Sequence, residues 1–535
     1  MKTENKKVVI VGAGMAGLTA AAYLARNHYE VVLLEKNDRT GGLLGTFEKN
    51  GFRFDTGPRA LVNSGIIKPM LHDLGIQCEY LGNRISIGIE DQLLQIKELD
   101  DIYKFQDLLI SLYPESKDEI KSIIQKMYQL AEYTRVLYEF DNPSFSNRMQ
   151  DKDYIFKELL PWLVKFLRAN QKLNKFNMPM ETFMKRMTGN QALIDIITQH
   201  FFRKTPTYFA LGYFYVYMDY FYPKGGTGSI NTLLNEKNLE LGVKVQLNTN
   251  ITEVVPVESL LIDSRGGKYP YDKLVWTADL KTLYRSINAV GLDPETAREI
   301  EADAQRVLSS KGAESIFMIY LAVNRPLSFF REKGGEHLFF TPSRQGLGET
   351  HLKEKERLLE NFSLRSRDEV LAWLDKYINL NTYEISVPAL RDETLAPEGQ
   401  TGVMISCLFD YEVFKKVEES GWYEEFKDIV ESRICELICR TLYQGMTRDV
   451  LFKFSASPIT VSKQSGSSEG AVTGWSFEKE PPVINRLKDI PKSVLTRIPN
   501  VYQAGQWAYA PAGVPIAMLT GWYASQAILK LSKKK

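Results

Sequence analysis

At 535 residues the chain is too long for one hydrophobic core, so two domains, or one large domain with a substantial insertion, are expected. Hydrophobic residues make up 44% and charged residues 25%, an ordinary globular balance, and a formal net charge of +1 provides no overall field to attract nucleic acid. Four cysteines, Cys78, Cys407, Cys435 and Cys439, are too few and too scattered for a disulfide framework, which fits a reducing compartment and makes the cytoplasm the default.

In chain order, Val8 to Val11 is a short β-branched run, glycines follow at 12, 14 and 17, and an Ala-rich stretch reaches Arg26. The pattern predicts strand Lys7 to Val11, helix Met15 to Arg26 and strand Glu30 to Glu35, with His28 and Tyr29 in the turn. The charge-free run between Lys7 and Arg26 imitates a signal peptide, but its glycines mark a βαβ unit rather than one apolar span. A helical pattern covers Ile66 to Leu74. From about Leu99 to Leu211 the pattern is strongly helical, with apolar residues three to four apart in Ile120 to Tyr138 and Ile155 to Leu167, and reads as an inserted region. A Pro-Lys-Gly-Gly turn after Tyr222, a helix from Ser229 to Leu241 and strands Val243 to Leu247 and Ile251 to Val255 restore the α/β pattern.

Alternation in Ile316 to Val323, His337 to Phe340 and Val403 to Leu408 predicts a second sheet, interrupted by a charged, solvated loop and helix from His351 to Arg367. Trp422 to Leu442 reads as an amphipathic helix and Val501 to Ala504 as a short strand. The uncharged run from Ile498 to Leu529 is long enough to cross a membrane, but Pro499, Gly505, Pro511, Gly513, Pro515 and Gly521 interrupt it, so no transmembrane helix is expected. The expected division is a discontinuous first domain of 1–98, 222–295 and 480–535, and a second of 99–221 and 296–479.

Gly12-Ala13-Gly14-Met15-Ala16-Gly17 lies between a predicted strand and helix, and Glu35 followed by Lys36 ends the next strand, which is the context a dinucleotide fingerprint requires. Gly12 allows the tight turn, Gly14 lets backbone approach a pyrophosphate, Gly17 lets the helix pack on the sheet, and the helix N-terminus offers N–H groups to the anion. Glu35 would take the ribose hydroxyls and disfavour a 2′-phosphate, so the ADP-ribose of FAD or NAD is expected rather than NADP.

Arg39-Thr40-Gly41-Gly42 and Gly51-Phe52-Arg53-Phe54-Asp55-Thr56-Gly57-Pro58 resemble the second glycine pair and the following F-D-x-G-P turn of the FAD-dependent amine oxidase and phytoene desaturase superfamily. Gly505-Gln506-Trp507-Ala508-Tyr509-Ala510-Pro511-Ala512-Gly513-Val514-Pro515, with the helix to Leu529, resembles its closing flavin-binding motif. Gln506 stands where an aspartate is common, and an amide can still hydrogen-bond a ribityl hydroxyl. Tyr222-Pro223-Lys224-Gly225-Gly226 and the Leu395-Ala396-Pro397-Glu398-Gly399-Gln400 turn are similar to motifs of the branch holding phytoene desaturases, carotenoid isomerases and retinol saturases.

The resemblance implies FAD and an α/β chain, α+β overall: a Rossmann-like FAD/NAD(P)-binding domain with an inserted mixed-sheet and helical substrate domain. It implies cofactor contacts at Gly12, Gly14, Met15, Ala16, Gly17, Glu35, Lys36, Arg39, Gly41, Gly42, Gly57, Pro58, Arg59, Val254, Gly505, Gln506, Gly513, Val514 and Pro515. In such enzymes hydride passes between a substrate carbon and flavin N5 while protein excludes water and fixes geometry. Arg59 is the expected polar group beside the flavin, with Tyr222 and Tyr509 as weaker donors.

The aromatic cluster Tyr208, Phe209, Tyr213, Phe214, Tyr215, Tyr217, Tyr220, Phe221 and Tyr222 suits either a tunnel for an apolar polyene or plain core packing. His28, His72, His200, His337 and His351 lie outside the flavin motifs and read as structural, and Cys435 and Cys439, one turn apart, read as a buried helical face rather than a metal site. Lys533, Lys534 and Lys535 suit either solvent or peripheral contact with an anionic membrane. The favoured activity is desaturation, saturation or isomerisation of an apolar polyene or isoprenoid, with an electron donor or acceptor that the sequence does not name. A flavin amine oxidase and a non-catalytic prenyl-lipid carrier of the same fold are the alternatives.

Overall fold

The structure is a computed structural model that describes residues 6–532, and the three terminal lysines lie outside them. Strands Lys7–Val11 and Glu30–Leu34 pair in parallel around helix Met15–Arg26. Three later segments complete a five-stranded parallel sheet in the order Lys244–Gln246, Glu30–Leu34, Lys7–Val11, Lys273–Trp276, Val501–Gln503. The two-residue period of a strand decides what each face buries. Val8 and Ile10 pack against the helices Met15–Arg26, Ser229–Glu240 and Val514–Ser532, whereas Val9 and Val11 meet Leu261, Leu280 and Trp276 behind the sheet. Helix Met15–Arg26 is buried from Met15 to Ala25, so its alanines and Gly17 act as spacers that let neighbours close in. A Cβ at position 521 would sit 2.3 Å from the Ala16 carbonyl, and the terminal helix runs straight through Gly521 to make that crossing rather than breaking there.

The second sheet has seven strands in the order Val450–Ala456, Ser315–Val323, Thr401–Phe409, Tyr383–Ser386, His337–Thr341, Ile85–Ile89, Gln92–Ile96. All its pairings are antiparallel except His337–Thr341 with Ile85–Ile89. Residues 85–96, expected with the first domain, thus belong to this sheet. Their alternation of Ile and polar residues marks a half-buried hairpin, a signal passed over beside the stronger dinucleotide motif. One face, including Phe317, Ile319, Phe340, Ile385 and Ile405, packs on helices Arg367–Leu380 and Tyr423–Thr441, and Cys435 and Cys439 are buried there. The opposite face turns Met318, Tyr320 and Met404 onto Phe52 and Phe54 of the hairpin Thr46–Lys49/Phe52–Asp55. The charged stretch after His351 is less solvated than its composition implies, because Lys355 is buried in an ion pair with Asp410.

The helical region, built from Ile102–Leu112, Lys117–Tyr138, Leu160–Leu173, Met180–Met187, Gln191–Thr198 and Thr207–Asp219, packs on hairpin strands Ile85–Ile89 and Gln92–Ile96 of the second sheet. Helix Leu160–Leu173 is entered through a wider π-helical turn, Tyr154–Leu159. Pro161 has no N–H to give and its ring crowds the carbonyl four residues back, which favours the wider turn. No helix among the described residues is long and apolar enough to cross a membrane.

Candidate functional site

A cavity of about 1510 Å³ runs from the edge of the parallel sheet to the helical region, larger than the several hundred cubic ångströms of an ordinary small-ligand pocket. Its first half is backbone and glycine. Gly12, Gly14, Met15, Ala16, Gly41 and Gly42 line it, and nothing lies within 4 Å of where a Gly14 Cβ would be. Gly14 caps helix Met15–Arg26 without a side-chain hydrogen bond, so the first-turn N–H groups are left for an anion. Gly17 does not line the cavity; a Cβ there would sit 2.0 Å from the Gly12 carbonyl, which makes it the contact between helix and turn.

Glu35 faces the cavity and is held by amides of its own neighbourhood, Oε2 accepting from Ala13 N at 2.8 Å and Oε1 from Asn37 N at 3.0 Å. Lys36 lines the same end, and burial pushes its ammonium below the ordinary lysine range. The far side of this half is Gly57, Pro58, Arg59, Gly505, Gln506, Gly513, Val514 and Pro515, the last two opening helix Val514–Ser532. An uncapped helix end, a glycine opening and a carboxylate at the end of the second strand together fit an ADP-containing cofactor. The amides at the start of the last helix fit the electron-rich end of a flavin.

Besides Gly17, three expected residues lie off the cavity. Arg39 is exposed and does not line the cavity, because Thr40 is pinned to Asn231 at 3.1 Å and turns its neighbour to solvent. Val254 is fully buried in the core behind the sheet, bridged to Ile287, and the cavity is reached instead by Thr249, Asn250 and Ile251. Tyr222 is also fully buried and off the cavity. Its hydroxyl donates to Asp55 Oδ2 at 2.7 Å, and Asp55 Oδ1 accepts from Thr46 Oγ1 at 2.7 Å and Thr227 N at 2.8 Å. Asp55 therefore ties the F-D-x-G-P turn to the Pro-Lys-Gly-Gly turn, and Tyr222 serves that joint.

Tyr509 and Arg59 do reach the cavity. Burial pushes the Tyr509 phenol well above its ordinary range. Arg59 is 1% exposed and donates from Nη1 to the Gly57 carbonyl at 2.8 Å, while its Nε has no partner. A buried guanidinium with a spare N–H is a fixed positive charge available to whatever occupies the space beside it.

The second half of the cavity is aromatic and aliphatic, with Leu137, Tyr138, Trp162, Phe166 and Leu167 from two helices, Phe140 from the bend after the first, and Tyr208, Phe209, Tyr213 and Tyr220 from the aromatic cluster. Phe214, Tyr215, Tyr217, Phe221 and Tyr222 face elsewhere, so the cluster is part lining and part core. The mixed sheet adds Ile316, Phe339, Glu384, Ser406 and Leu408 as a floor. Glu384 and Ser406 gave no sequence signal beyond ordinary strand alternation. His200 lines this half too, and burial pushes its imidazole down to about 4, so it is neutral near pH 7. No group of metal-ligating side chains occurs among the described residues.

Residues 15–529 match the family model described as flavin containing amine oxidoreductase. The chain is 23% identical over 526 residues, 96% of either chain, to 4,4'-diapophytoene desaturase (4,4'-diaponeurosporene-forming) of Staphylococcus aureus (strain COL). Its fold matches a crystal structure of an oxidoreductase from Methanosarcina mazei with a TM-score of 0.60 at 14% identity, covering 98% of this chain and 100% of that one. It also matches putrescine oxidase bound to putrescine with a TM-score of 0.59 at 14% identity, covering 98% and 99%.

Proposed function

The chain belongs to the flavin containing amine oxidoreductase family, and from that premise we propose that this FAD-dependent oxidoreductase desaturates carbon–carbon bonds of an apolar isoprenoid polyene. The observation that carries the reading is the continuity of one cavity from the glycine-lined cofactor end, past Arg59, into an aromatic and aliphatic channel. A relative of nearly equal length is named a diapophytoene desaturase. Gly12, Gly14 and the first amides of helix Met15–Arg26 would hold the pyrophosphate, Glu35 the ribose, Gly505 and Gln506 the ribityl chain, and Gly513, Val514 and Pro515 the ring end. When bound, flavin supplies a two-electron acceptor for hydride. Arg59 offers fixed positive charge at the junction of the two halves, the aromatic walls exclude water, and the channel aligns an extended chain.

We also propose a membrane-facing surface. Leu160 (42% exposed), Leu163 (38%) and Val164 (48%) form one stripe at helical spacing that Leu167 (57%) extends to the cavity rim, with Lys165, Arg168 and Lys172 beside it and Trp162 and Phe166 turned to the cavity. A helix that is apolar outward, basic at its flank and cavity-lining inward suits transfer of a lipid-soluble substrate from an anionic bilayer.

The test is to purify the flavin-loaded protein and add acyclic polyenes anaerobically, with bleaching of the oxidised flavin spectrum as the expected response. No response to any apolar alkene would overturn the desaturase reading, and bleaching by putrescine with peroxide release in air would favour an amine oxidase.

A further inference from the structure

Strands Tyr383–Ser386 and His337–Thr341 place one ionisable side chain, Glu384, on the floor of the aromatic half of the channel, with His337 enclosed behind it. The register pairs Phe339 with Glu384 and Glu384 with Ser406, so these share the face that lines the cavity. Glu384 keeps 32% of its side chain accessible, and that surface opens into the cavity, whereas its neighbour His337 is fully enclosed.

A chain of hydrogen bonds settles the state of this pair. The Arg391 guanidinium donates to the Arg59 carbonyl at 3.0 Å and also to Asn83 Oδ1. With its oxygen engaged, Asn83 presents Nδ2 to His337 Nδ1, 3.2 Å away. His337 Nδ1 is therefore the acceptor, and the ring's proton sits on Nε2, 2.9 Å from Glu384 Oε1. Burial holds the His337 imidazole below its ordinary range, its bond to Glu384 notwithstanding. For Glu384, burial acts to raise the carboxyl pKa, but the hydrogen bond from His337 and its electrostatic attraction, with the Arg59 charge and a bond from Ser406, hold the group below the usual carboxylate range. The result is a carboxylate with one oxygen oriented by the His337 N–H and an accessible surface facing the aromatic half of the channel. An ionised group in such a place costs several kcal/mol of desolvation, which its partners offset only in part.

We propose that Glu384 is the proton acceptor of the desaturation, with His337 as its positioning residue. The inference rests on the polyene reading of the cavity. Forming the double bond breaks two C–H bonds on adjacent carbons. From one, hydrogen leaves with its electron pair as hydride to the flavin oxidant; from the other, the proton goes to the Glu384 carboxylate and the electron pair left behind becomes the new π bond. The positive charge that grows on carbon as hydride departs is stabilised by the same carboxylate.

The test uses flavin-loaded protein and two probes, squalene and N,N-dimethylfarnesylamine, whose ammonium form mimics cationic carbon, with binding read by quenching of tryptophan fluorescence. Wild type is expected to bind the amine at least tenfold more tightly than squalene. Glu384→Gln should abolish that preference, keep squalene binding and flavin content, and lower polyene turnover about a hundredfold or more. His337→Gln, whose amide can still donate near the Nε2 position, should retain the preference, and His337→Phe should lose it with flavin content unchanged. Equal binding of the probes by wild type, or a preference that survives in Glu384→Gln, would overturn the assignment alone. Binding of neither probe would overturn the polyene reading and the assignment with it.

Discussion

Gly14 and Gly17 are three residues apart in one motif, yet they answer to different constraints. Gly14→Ala should leave the melting temperature of the apoprotein within about a degree of wild type while lowering the flavin retained on purification, because its new methyl projects into open cavity. Gly17→Ala should lower the apoprotein melting temperature itself, because the methyl would drive the helix off the Gly12 carbonyl. Tyr222→Phe should cost about 1–2 kcal/mol in denaturant unfolding, by leaving the buried Asp55 oxygen short of a donor, and leave turnover per bound flavin unchanged. Asp219 gives a pH-dependent case. Burial raises its carboxyl to about 6 although it accepts from Ser64 N at 2.7 Å. A raised folded-state value means the folded chain prefers the protonated form, so stability from this group is present below about pH 4 and is lost as pH rises through about 6. Asp219→Asn should therefore stabilise by roughly 2 kcal/mol at pH 8 and by almost nothing at pH 4, as thermal melts at the two pH values would read. The cavity positions of Gly12, Gly14, Gly41, Gly42 and Glu35 were legible in sequence because the glycine fingerprint fixes residue type at fixed spacing. Arg39, Val254 and Tyr222 were not, since a strand or turn pattern does not say which way a side chain faces once other segments pack on it.

Regular elements were the readable part of the chain. Helices Met15–Arg26, Lys117–Tyr138 and Tyr423–Thr441 and strands Ser315–Val323 and Thr401–Phe409 follow from three-to-four and two-residue apolar spacing. Hairpin strands Ile85–Ile89 and Gln92–Ile96 were not read, and neither was the pairing that makes Glu384 a cavity residue, because pairing partners distant in sequence leave no local trace. Helix Leu160–Leu173 shows the same limit from the other side. Its amphipathic spacing was visible, but only the packing reveals that the face toward the protein is the aromatic one and that leucines remain outside. Replacing Leu160, Leu163 and Val164 together by Ser should reduce sedimentation with anionic phosphatidylserine vesicles at least tenfold and leave the melting temperature unchanged or higher. Unchanged sedimentation would remove the membrane contact from this helix.

Across the whole molecule the parallel sheet is assembled from separated stretches, from Lys7–Val11 to Val501–Gln503. Segments from the first and last parts of the chain line one cavity, so if flavin is held there it should raise the melting temperature of the apoprotein in a single transition. Each tenfold increase in free flavin above its dissociation constant adds about 1.4 kcal/mol. Two transitions, with only one responding to flavin, would show instead that the mixed-sheet unit is independent.

The crossing of Gly521 over Ala16 also bears on how the protein is made. Helix Ser229–Glu240 covers one side of helix Met15–Arg26, but the side that meets Gly521 has no cover until Val514–Ser532 has left the ribosome, and the parallel sheet lacks its edge until Val501–Gln503 follows the rest. For most of translation that side of the helix waits with apolar surface uncovered, a client for holding chaperones, and a cavity lined by segments from both ends of the chain is complete only once Val514–Ser532 has been made.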